Sequence, residues 1–146
     1  MFELTINNQV YQFNFGMGFL REVNQFATMP VEGIPGAKKN VGLNLMLASI
    51  LDGEPEALVE ALDIANKGQN PRLTKKVLDD YIDSPDVDID ELFETVKGFL
   101  SRSNATKKNL ESLEEMVEKE KIKQEAAEAK RIAQEMNQIA QEMNQS

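Results

Sequence analysis

The stretch FELTINNQVYQFNF, residues 2–15, constrains the fold more than any other, because it alternates large apolar or β-branched side chains with polar ones on either side of Asn7-Asn8. Phe2, Leu4 and Ile6 fall on one face of a strand, and Tyr11, Phe13 and Phe15 on one face of the next. Asparagine tolerates positive φ, so a two-residue turn is chemically sound and the pattern predicts a β-hairpin. A hairpin alone is marginal in water. Its apolar face has to be covered by the segments that follow.

Those segments read as helices. GMGFLREVNQFA places Phe19, Leu20, Val23, Phe26 and Ala27 at amphipathic helical spacing. MPVEGIPGAKKN, with two Pro and two Gly, reads as a loop. NVGLNLMLASILDG is apolar nearly all round and is expected to be the buried central helix. Pro55 opens and Gly68 closes the next helix, whose inward stripe is Leu58, Leu62 and Ala65 with Val59 and Ala61 beside it. Thr74 caps a short helix burying Val77, Leu78, Tyr81 and Ile82, and Asp88 begins another in which Leu92, Phe93, Val96, Phe99 and Leu100 recur. The expected fold is α+β, mainly α: an N-terminal β-hairpin packed on a small helical bundle, with a long C-terminal helical or partly disordered extension. Residues 1–103 form the globular part and residues 104–146 the charged extension. In the extension Leu110, Leu113 and Val117 still make a stripe, but Ile122 is the one large apolar residue between 118 and 131. Glu/Lys and Glu/Arg pairs at i, i+3 or i, i+4, such as Glu115 to Lys119 and Glu128 to Arg131, support an exposed helix there.

The formal charge of −9 and the absence of a dense Lys/Arg face argue against direct nucleic-acid binding. There is neither Cys nor His, which removes disulfides, thiolate metal sites and the commonest general base and transition-metal ligand. The opening MFELTINNQV has no basic or apolar leader pattern, and VGLNLMLASIL falls well short of the roughly 20 residues that span a bilayer, so the expected location is the cytoplasm. No catalytic, cofactor-binding or metal-binding residue is expected. Residues 79–94 carry eight carboxylates and no base, and Asp86, Asp88 and Asp90 echo the start of an EF-hand loop. Glu91 stands where that loop needs Gly, and Lys97 where it needs a bidentate Glu. A helix cap by Asp88, with Glu91 as its reciprocal partner, accounts for the pattern better; an acidic surface that meets a basic partner or mimics nucleic-acid charge is the competing reading. No pair of acids is marked as an acid/base couple, and Ser49 has no candidate base. Met17 and Met29 flank predicted loops and are candidate partner contacts, because unbranched Met repacks against varied surfaces.

FNFGMGFLREVN, GIPGAKKNVGLNL, DIANKGQNPRLTKKVLDDYID and DIDELFETVKGFLSRSNATKK, in that order from residue 1 to about Lys108, resemble the tail assembly chaperones of long-tailed phages and prophages of Gram-positive bacteria. The resemblance implies a helical protein with a small β element that binds the tape measure protein, keeps it soluble in the cytoplasm of the bacterial host, and helps recruit the tail tube protein. It also implies absence from the finished particle and a family whose members are often made in two forms, the longer by ribosomal frameshifting; no cofactor, nucleic acid or membrane partner is expected, in line with the charge and composition above. The alternative is a structural coiled-coil component retained in the tail.

The chain ends on IAQEMNQIAQEMNQS, in which residues 132–138 recur unchanged as 139–145. Ile132, Met136, Ile139 and Met143 form a heptad seam, which decays backward through Ala129, Glu125, Ile122 and Glu118. Two heptads are too short to hold an oligomer alone. A duplicated, tolerated tail, a docking strip for a helical partner, and a seam for self-association all remain open. Truncation after Lys121 is expected to leave the thermal unfolding of the folded part unchanged by circular dichroism; a large loss of stability would show that the tail packs on the core.

Overall fold

The alternating pattern at the start of the chain does fold into a hairpin. The structure is a computed structural model and describes residues 1–145. Strands β1 (Phe2–Ile6) and β2 (Gln9–Phe13) are antiparallel, pairing Phe2 with Phe13, Leu4 with Tyr11 and Ile6 with Gln9. Asn7 and Asn8 have φ of 53° and 63°, the left-handed conformation that a tight two-residue turn requires and that Asn tolerates. Phe2, Ile6, Phe13 and Phe15 are buried, whereas Leu4 and Tyr11 are half-buried. The Phe2 ring lies 5.4 Å from that of Phe13 and 5.0 Å from that of Phe99, and Phe15 meets Phe19 edge-on at 5.2 Å. The hairpin's apolar face is thus closed by rings from α1 (Met17–Asn24) and α5 (Ile89–Arg102), a geometry worth more than area burial alone.

Between these lie α2 (Gly42–Leu51), α3 (Pro55–Asn66) and α4 (Lys75–Asp83). The caps fall where the residue types indicate: Thr74 Oγ1 accepts from the Val77 N–H at 3.3 Å, and Asp88 Oδ1 accepts from the Glu91 N–H at 3.2 Å. Two expectations need correction. The central helix is α3, not α2. Leu58, Ala61, Leu62, Ile64, Ala65 and Asn66 of α3 are all buried, whereas α2 packs on α1 and α3 through Leu43, Leu47 and Ile50 and leaves Leu45 57% exposed. An all-round apolar sequence does not reveal which side lacks a neighbour. Second, part of the segment read as a loop is a ribbon: β3 (Thr28–Pro30) pairs antiparallel with β4 (Lys38–Asn40), with Gly33 and Gly36 at positive φ in the connection. Every residue of β3 and β4 is exposed, so neither strand carries the alternation that marks a half-buried one.

Asn66, at the end of α3, is fully buried and binds three segments at once. Its Nδ2 donates to the Gln12 carbonyl at 2.9 Å and to the Pro71 carbonyl at 3.4 Å, while Oδ1 accepts from the Leu73 N–H at 2.6 Å and from Arg72 Nη1 at 2.9 Å. Arg72 reaches Asp63 as well, through Nη2 at 2.9 Å. The Asn14 N–H donates to the Ala65 carbonyl at 2.8 Å, so β2 is fixed to α3 by backbone and side chain together.

The chain forms a compact unit, Met1–Glu111, and a second unit from Ser112 on. In the first, Ser103 Oγ donates to the Phe15 carbonyl at 2.7 Å, Thr106 Oγ1 donates to the Leu100 carbonyl at 2.6 Å, and Leu110 is buried. The second consists of the remainder of α6 (Lys107–Asn144), a helix whose residues from Glu114 on are exposed. Its Arg131 pairs with Glu128 and Glu135. Hydrogen bonds to both carboxylates hold the Arg131 guanidinium above its ordinary range, that to Glu128 most strongly.

Asn66→Ala strands the Leu73 N–H and the Gln12 carbonyl in a dry interior. The expected loss is about 3 kcal/mol, read as a melting temperature lower by about 10 °C or more in calorimetry.

Candidate functional site

The groove with the most exposed apolar side chains in the first unit originates in a close helix contact. Helix α1 stops at Asn24, where the Phe26 N–H turns back onto the Val23 carbonyl at 3.1 Å. Helix α2 begins hard against that end. A Cβ on Gly42 would lie 2.0 Å from the Val23 oxygen, so only glycine admits the approach. Val41 and Gly42 bring no capping side chain; Asn24 supplies one across the gap, its Oδ1 accepting from the Leu43 N–H at 3.1 Å. The Val41 N–H donates to the Ala27 carbonyl at 3.0 Å, which closes the corner.

With α2 pinned there, two large side chains have nothing above them. Phe26 is 64% exposed and Leu45 57% exposed. Together with Ala27, Met46 and Ala57 they floor an open groove of about 380 Å³ between α1, α2 and α3. Its rim is acidic, with Glu54, Glu56 and Glu60. Glu60 accepts from Lys75 Nζ, and that hydrogen bond holds the lysine above its ordinary pKa against a small opposing effect of burial. The lysine therefore remains charged across the neutral range and ties the groove's α3 wall to α4. An apolar floor with a carboxylate rim suits an amphipathic helix whose polar flank is basic. It holds no nucleophile paired with a base.

Of the residues expected to meet a partner, Met17 is 50% and Met29 49% exposed, and neither lines the groove. Ile132, Met136, Ile139 and Met143 are exposed on α6, in the second unit, at 44%, 65%, 55% and 71%. The sequence places Phe26 on the inward stripe of α1 by its spacing, and Leu45 inside a helix expected to be buried because it is apolar nearly all round. A usable signal existed in α2, which is apolar on more faces than α1 and α3 can cover. For Phe26 the spacing misled, because it extends a period past the point where the helix ends.

The family model described as "Phage tail assembly chaperone protein, TAC" matches residues 3–115. The chain belongs to this family. Comparison with curated proteins and with solved structures gives no match. The matched span takes in the hairpin except Phe2, α1 to α5, the start of α6 and every residue of the groove. As a tail assembly chaperone the chain acts by binding, which fits a site built of exposed apolar side chains. No helix among the described residues is long and apolar enough to cross a membrane.

Gly42→Ala is expected to cost about 1–3 kcal/mol in urea unfolding, since the added methyl meets backbone rather than a yielding side chain. Gly18→Ala, in α1 with nothing within 4 Å of the new methyl, is the control and is expected to be neutral or slightly stabilising.

Proposed function

We propose that the groove between α1, α2 and α3 holds amphipathic helical segments of the tape measure protein, keeps that protein soluble while the tail tube protein is recruited around it, and releases it before the particle is complete. The observation that carries this reading is the pair Phe26 and Leu45, exposed side by side in one groove within the span that matches the chaperone family. A soluble protein leaves such side chains open where something is to cover them. Covering the 64% of Phe26 and 57% of Leu45 left open contributes about 1–2 kcal/mol each before the losses of association, enough for a hold that remains reversible.

The alternative, a component retained in the tail through the C-terminal heptads, draws on the exposed strip Ile132, Met136, Ile139 and Met143. The two readings separate on the particle itself: mass spectrometry of purified particles is expected to find no copy of a chaperone and many copies of a retained component.

Co-expression with the tape measure protein from the same gene cluster is expected to raise its soluble yield. Phe26→Ser with Leu45→Ser, both at exposed positions, is expected to keep the melting temperature and to weaken co-purification about a hundredfold. Full retention of the client by this variant would remove the groove from the proposal.

A further inference from the structure

The hairpin has one open side. In a hairpin closed by a two-residue turn the pairs Ile6–Gln9, Leu4–Tyr11 and Phe2–Phe13 exchange backbone hydrogen bonds, so the N–H and C=O groups of Glu3 and Thr5 point away from β2. The sheet has only these two strands, and among the described residues no backbone bond from another element reaches Glu3 or Thr5. Beside this edge runs a cleft of about 580 Å³. One wall is β1, through Phe2, Leu4, Thr5 and Ile6 with Glu3 outside the lining, and β2 contributes nothing; the opposite wall is α4, the connection through residues 84–88 and α5 as far as Thr95. At Thr5 the outer edge of β1 therefore faces an open channel, and Glu3 continues that edge beyond it.

The far wall supplies a sign. Asp80, Asp86, Asp88 and Glu91 line it, and no Lys or Arg lines the cleft anywhere. Asp88 is committed to its helix cap, and Asp80 lies 3.4 Å from Lys76. The carboxylates of Asp86 and Glu91 have no ion-pair partner among the described residues. Between the walls, Leu4, Val77 and Tyr81 provide a half-buried apolar floor.

We infer that this cleft is a strand-addition site for an extended segment of a partner protein that carries Lys or Arg at alternate positions. Its backbone pairs with Glu3 and Thr5, as an added edge strand does. Its apolar side chains turn toward Leu4, Val77 and Tyr81, and its basic ones lie at the mouth beside Asp86, Glu91 and the exposed Glu3. A helical segment would leave the open edge of β1 unpaired, because a helix has already satisfied its own backbone groups. The site is separate from the Phe26 and Leu45 groove and does not depend on what fills that groove.

The test is fluorescence anisotropy of the full chain with a labelled octapeptide alternating Lys and Val. Binding is expected at low salt, weakening as salt rises. Asp86→Lys with Glu91→Gln, both exposed, is expected to weaken it about tenfold or more. The same octapeptide with its four central amides N-methylated is expected not to bind, while Phe26→Ser with Leu45→Ser leaves binding of the parent peptide unchanged. Equal binding of the N-methylated peptide, or of a Glu/Val analogue, would overturn strand addition. So would no binding at low salt, or a chain whose cleft is filled by a second copy that the peptide displaces.

Discussion

One buried amide holds the first unit together. Asn66 has no exposed surface, and its side chain serves two carbonyls and two donors, so both of its polar ends are used. Those partners belong to β2 and to the turn from α3 to α4, segments with no ladder or helix between them. An amide donates from one end and accepts at the other across a short uncharged span. Without it the hairpin would meet α3 through apolar contact and one backbone bond, and apolar contact alone does not fix register. The interior is dry enough that each unmade bond would cost more than a made one contributes. From this fixed relation of β2 to α3 follows the placement of Phe2, Phe13 and Phe15, and through their rings that of α1 and α5.

The groove is the other side of that arrangement. Once α3 occupies the centre, α2 can touch it on one face only, and the close approach permitted by Gly42 turns Leu45 outward next to Phe26. The exposed apolar pair is therefore a product of specific packing, held by Asn24 and the corner at Ala27 and Val41. A surface already formed in the free chain keeps the ordering cost of association small for anything that docks on it.

Most of the scaffold was legible in the sequence because its signals are local. The Asn7-Asn8 turn, the Thr74 and Asp88 caps and the helical stripes through Leu78 and Leu100 each require only neighbours along the chain. The helical misreadings concern what an apolar face meets. Phe26 continues the spacing of α1 past its end at Asn24, and Leu45 sits in a helix whose apolar excess shows that some face is uncovered without showing which. Asn66 is polar at the end of a helix and reads as an ordinary C-terminal residue; its partners lie up to 54 positions away. The ribbon of β3 and β4 escaped for the opposite reason. It buries no face, so it has no period to detect. Family resemblance supplied the kind of function, but not the place on the molecule where it is exercised.

Composition limits how such a protein can let go of what it holds. A holding surface that must release needs something to change, and the usual internal devices are a histidine that titrates near neutrality or a thiol that is oxidised. The chain has neither residue. Phosphate-driven closure is equally unsupported, since no glycine-rich phosphate loop is present. For the groove proposed above, competition supplies release without either residue: a second partner that covered the client's apolar stripe more completely would displace the groove by mass action. The acidic rims at Glu54 and Glu56 and at Asp86 and Glu91 suit that scheme. Exposed charges speed encounter and set preference for basic flanks while adding little to the final hold, which would let such a complex form fast and still be outcompeted. On the proposed reading, in which the groove holds the tape measure protein, the growing tube is the natural candidate for that competitor.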